Sequence, residues 1–247
     1  MRPEERELSQ YEIQQSELQE ELAAQELALE TANSEVETFR RRYYREVGVL
    51  FAELDRLEAE LADLHLRQRP DDVQRQRRAT EAAEQAARSG REANLEDRTP
   101  APRPAITEEL KQAYRQAVKL FHPDLVLDPL EKARRTSLMS DLNAAYARAD
   151  LDAIKALIKK HQDDPSEVRG DDMGARIVRA IRTIAQLRAR IAEIQSELDA
   201  LQGTELYQLK LKAEAEEARG GDPLGDLARS LTAQILEKRT QLRSPST

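Results

Sequence analysis

The chain has 247 residues, 35% of them charged and 4% aromatic, with no tryptophan, no cysteine and a formal charge of −8. That is too little bulky apolar matter for one large globular core, and it suits long helices whose narrow seams need few apolar side chains. Without cysteine there can be no disulfide framework, zinc–thiolate site or thiol nucleophile, and the negative balance argues against generic nucleic-acid binding.

The first residues, MRPEERELSQYEIQQSELQEE, lack the apolar core of a signal peptide. No apolar run approaches the ~20 residues of a membrane span. A cytoplasmic protein, with no membrane partner, is expected. Residues 4–67 read as an N-terminal coiled coil. With Leu8 at heptad position a, the series continues through Gln15, Leu22, Leu29, Val36 and Tyr43, with Tyr11, Leu18, Gln25, Ala32 and Phe39 at d. The register then jumps to Val47, Leu54 and Leu61 at a, with Leu50, Leu57 and Leu64 at d. The jump inserts four residues, a stutter that locally unwinds a supercoil, and Gly48 lies beside it. A helix of this length, ~90 Å, cannot bury its seam on itself and needs a partner helix. The triplet Arg40–Arg42 reads as a solvated flank of the coil.

Within a linker region of 68–106, residues 68–105 contain only Val73 and Leu95 as large aliphatics and end in DRTPAPRPA. Their Ala, Glu, Gln and Arg content favours transient helix, but no apolar face is evident, so a mobile linker is expected. Residues 107–161 predict a module of three helices. Thr107 can cap the first, with Glu108 and Glu109 in its first turn. DPLE places Asp128 at the cap of the second, Pro129 at its first position and Glu131 at its third. Asp150 can cap the third. Leu110, Ala113, Ala117 and Phe121 can face Leu138, Leu142, Ala145, Tyr146 and Ala149 as a helical hairpin, leaving Lys111, Arg115 and Lys119 as a basic ridge. QDDPSEVRGDDMG then breaks the chain. A second coiled coil over 174–218 carries Ile177, Ile184, Ile191 and Leu198 at a and Ala180, Leu187, Ile194 and Leu201 at d, with Gly203 a weak point. A short amphipathic helix over 224–243 completes the all-α reading: long coiled-coil helices flanking a small helical hairpin module.

The hairpin resembles a J-domain, the module by which DnaJ-type co-chaperones engage DnaK-type ATPases. Leu110, Lys111, Ala113, Tyr114, Arg115 and Phe121 match the family's second helix ahead of the His122-Pro123-Asp124 loop, and Ala117-Val118 is closer to the auxilin-like branch. Leu142-Asn143-Ala144-Ala145-Tyr146 is similar to the signature of the family's third helix. The resemblance covers only some 45 residues and departs from the family in three ways. Where the family's first helix should stand there is DRTPAPRPAITEE, so the helix from Leu151 to Lys160 is expected to supply the missing packing face. The basic residue usual after the loop is Leu125, and further lysines of the second helix are Gln112, Gln116 and Leu120.

The resemblance implies a J-domain-containing co-chaperone that binds a DnaK-type chaperone through Lys111, Tyr114, Arg115, His122, Pro123 and Asp124, none of them catalytic, and recruits a protein client or assembly through its coils. Pro123 fixes its own φ and biases His122 out of helix, so the loop is expected to be exposed, free of core contact, and able to dock an acidic surface. The alternative is a structural coiled-coil adaptor with a J-like fold that stimulates no ATPase. Neither reading is an enzyme, because His122 and Asp124 have no pocket or nucleophile to serve. His65, His122 and His161 lie far apart, and no metal or other cofactor is expected. The seams are expected to close in a homo-oligomer or an intramolecular antiparallel coil.

Overall fold

The computed structural model describes residues 3–97, 105–161 and 173–243; the breaks read in DRTPAPRPA and QDDPSEVRGDDMG fall mostly outside them. The described residues form α1 (Pro3–Tyr43), α2 (Val49–Gln68), α3 (Val73–Asp97), α4 (Glu108–Phe121), α5 (Pro129–Ala147), α6 (Leu151–His161), α7 (Met173–Gln202), α8 (Glu205–Glu217) and α9 (Pro223–Arg243), with no strand among them. The all-α class therefore holds. None of these helices is long and apolar enough to cross a membrane. The chain divides into two compact units, residues 1–35 with 102–203 and residues 36–101 with 204–247.

In the first unit the three expected caps are all made. Thr107 Oγ1 accepts from the Leu110 amide at 3.2 Å, Asp128 Oδ1 from Glu131 at 2.9 Å, and Asp150 Oδ1 from Ala153 at 3.0 Å. These fix where α4, α5 and α6 begin. α4 and α5 pack through Leu110, Ala113, Tyr114, Ala117, Val118 and Phe121 against Leu138, Met139, Leu142, Ala145 and Tyr146. Ile154 and Ile158 of α6 join this core, and so do Ala23 and Leu27 of α1. A second cluster joins Leu18, Leu22 and Leu29 of α1 to Leu187, Ile191, Ile194 and Leu198 of α7. These are a and d positions of both heptad arrays.

The direction of that pairing corrects the antiparallel expectation. Arg176 reaches Glu12 at 2.9 Å and Arg190 reaches Glu26 at 3.0 Å. Each pair is 164 residues apart in sequence, so α1 and α7 advance together and run parallel. Both arginines sit at g and both glutamates at e, the arrangement by which parallel coiled coils close their flanks. The seam is thus filled within one chain.

The second unit corrects three further readings. The N-terminal coiled coil is not one arm: residues up to 35 belong to the first unit and the remainder to the second. The stutter is realised as a π-helical turn over Tyr44–Gly48, which takes up the extra residues and leaves Val47 fully buried. The linker over 68–106 is, from Val73 to Asp97, helix α3, folded back on α2 through a turn at Arg69–Asp72. Asp72 accepts from the amides of Gln74 and Arg75, and Arg75 reaches back to the His65 carbonyl. Its half-buried positions Ala79, Ala82, Ala86, Gly90 and Ala93 form a stripe of small residues rather than an apolar face. The second coiled coil likewise ends at Gln202; Thr204 caps α8 as a separate helix. Phe39, Val47, Leu54, Leu57, Ala213, Leu224, Leu231 and Ile235 make this unit's core. Arg40 and Arg41 pair with Glu37, and Arg42 with Glu46 and Glu217.

Candidate functional site

The site lies where α4 gives way to α5. The residue before a proline is disfavoured in helix, and His122, with φ −62° and ψ 137°, leaves α4 there in an extended conformation. Pro123–Leu125 then make a single 3₁₀ turn. The His122 ring caps that turn, its Nδ1 accepting from the Asp124 amide at 3.2 Å. With Nδ1 an acceptor, Nε2 is the ring's donor, and it meets Glu26 Oε1 of α1 at 3.0 Å. The same oxygen accepts from Arg190 Nε of α7 at 3.0 Å, while Arg190 Nη1 reaches Glu197 at 2.8 Å.

His122 is therefore not on an exposed loop. It is 2% exposed and Glu26 4%. The carboxylate survives burial because two donors converge on it. Burial alone would raise the Glu26 pKa, but the His122 hydrogen bond and the Arg190 charge outweigh burial and hold it below its ordinary 4.5. Burial likewise tends to lower the Arg190 guanidinium, yet Glu26 and Glu197 leave it more basic than usual.

Other placements differ in kind. Tyr114 is fully buried, its ring 4.7 Å from that of Tyr146 and its hydroxyl donating to Asn143 at 2.8 Å. It belongs to the hairpin core and cannot be a surface contact. The Tyr146 hydroxyl pairs in turn with Thr31 of α1 at 2.8 Å. Pro123 and Asp124 are half-buried, and Asp124 accepts from Lys132 at 2.6 Å. Arg115 is exposed. Lys111 lies along its own helix, paired with Glu108 at 2.9 Å, and Lys119 reaches Glu20 of α1 at 2.6 Å. Leu125 packs onto the α1–α7 cluster. A basic side chain there would enter an apolar contact, so Leu125→Arg is not a restoration.

Several participants were not legible from motifs. Glu26 and Arg190 read as ordinary flanking residues of two coils. Buried Arg135 closes the end of α4 by donating to the Leu120 carbonyl at 3.4 Å while pairing with Glu131 at 2.9 Å. The Arg134 hydrogen bond leads in lowering the Glu131 carboxyl to about 2; burial opposes it, and the Arg135 hydrogen bond and the two guanidinium charges outweigh that opposition. The chain was compared with protein-family models, curated proteins and solved structures, and nothing matches in any of the three.

Proposed function

We propose that this chain is a J-domain-type co-chaperone that engages a DnaK-type ATPase through the surface around His122-Pro123-Asp124 and carries a client or assembly on its long helices. One observation supports the reading most: the two stretches that resemble the family meet through their distinctive residues. Tyr114 of α4 bonds Asn143 of α5 and packs on Tyr146, so the tripeptide closes a hairpin built from both matching segments. The exposed Arg115 and the surface ions Lys111 and Lys119 follow on the same helix. Such charges steer an acidic partner and make its binding salt-dependent. Because α1 and α7 fill their seam with each other, the client would meet the outward faces of these helices.

The structural-adaptor reading is favoured by a different observation, the burial of His122 against Glu26. In that reading the histidine holds helices together and has no chaperone to meet. Single-turnover ATP hydrolysis by the host's own DnaK-type proteins separates the two. The co-chaperone reading expects the full chain to raise the rate, Asp124→Asn to remove the effect without changing helicity, and Lys111→Ala with Arg115→Ala to weaken it more at low salt than at high, where these charges are already screened. No stimulation by wild type well above micromolar concentration leaves the adaptor as the account.

A further inference from the structure

We infer that α1 is an autoinhibitory latch on the His122 loop, closed by Glu26 and Glu20; the inference rests on the co-chaperone reading above. The geometry makes the contact competitive. His122 offers one outward donor, Nε2, and Glu26 occupies it. Six residues earlier on the same helix Glu20 holds Lys119, the last cation of the α4 ridge. An acidic chaperone surface would present carboxylates to the same two side chains, so α1 occupies them as a tethered mimic of that surface. The latch is also coupled to the coil. Glu26 cannot leave His122 by a local rotation without giving up Arg190, whose pairing closes the α1–α7 flank. Release of the loop therefore requires the middle of α1 to lift from α4 and α7, breaking the contacts of Leu22, Ala23 and Leu27. A ligand whose competent state is a minor population binds with its affinity reduced by that fraction; a latch closed about a hundredfold over open weakens docking about a hundredfold.

The test uses the full chain and reads loop exposure separately from function. Diethylpyrocarbonate labels accessible histidines, and the exposed His65 serves as internal reference. In wild type, His122 should label at least tenfold more slowly than His65. Glu26→Gln removes the charge from the latch. Glu20→Lys, at an exposed position, sets a lysine against Lys119 without touching the core. Each should speed His122 labelling several-fold and lower the concentration for half-maximal ATPase stimulation several-fold. Combining Glu20→Lys with Lys119→Glu should restore protection. Wild-type His122 labelling as fast as His65, or protection unchanged in the folded Glu20→Lys variant, overturns the latch. Faster labelling with an unchanged, non-zero stimulation shows that the contact is not inhibitory. Faster labelling with no stimulation by any form removes the co-chaperone reading and the latch with it.

Discussion

Glu26 holds together groups that lie far apart in sequence, and its removal should cost more than its size suggests. Glu26→Ala leaves His122 without its acceptor and Arg190 without its innermost partner. Breaking a buried pair on one side typically costs ~3–5 kcal/mol; because Arg190 keeps Glu197, about 2–4 kcal/mol is expected, read from urea denaturation. Arg115→Ala, on the surface, should stay within about 0.5 kcal/mol. The pH dependence has a definite sign. The Glu26 carboxyl is held below its ordinary 4.5, so its stabilisation is fully present above that value and is lost as pH falls through the folded pKa. Thermal melts should show the gap between wild type and Glu26→Gln at neutral pH shrinking below about pH 4.5. At this scale the sequence was legible for caps, because a cap is a local pattern: Thr107, Asp128 and Asp150 each bond an amide three residues on. It was not legible for His122, whose partner is 96 residues away. Tyr114 was misplaced for another reason. It falls on the buried stripe with Leu110 and Val118, whereas the resemblance of its helix to the J-domain's second helix put it among the expected binding residues.

At the scale of elements, period was read better than partner. The a and d positions of both arrays are the ones that meet, as Leu22 and Ile191 illustrate. Heptads are silent on direction, however, and only the flanking ion pairs make α1 and α7 parallel. α3 was not legible as a packed helix because its half-buried face carries small residues and no bulky apolar ones. A stripe of alanine buries little area but lets two backbones approach closely, and in sequence Ala79, Ala82, Ala86 and Ala93 signal only helix propensity. The stutter at Gly48 offers a direct check. A Cβ on Gly48 would sit 2.6 Å from Cδ1 of the Tyr44 ring. Alanine gains about 1 kcal/mol in helix propensity over glycine, whereas forcing an aromatic ring aside costs ~1–3 kcal/mol. Gly48→Ala should therefore lower the stability of the second unit, where a standard α-helical turn would have gained from it. An increase measured in urea denaturation would mean that the π-turn is not held as described.

One unit of the molecule is a bundle around α2 and α3, and the other holds the α4–α5 hairpin, whose His122 loop is held by α1. We propose that a DnaK-type chaperone in its ATP state docks on α4 and the loop in place of α1. Amide hydrogen exchange across the full chain, with and without saturating ATP-bound chaperone, reads both halves of that exchange at once. Residues 108–126 should become slower to exchange while the middle of α1, around Glu20 to Leu29, becomes faster. Unchanged exchange over 108–126 would contradict docking there, and slowing of the loop with α1 equally protected would contradict the displacement of α1.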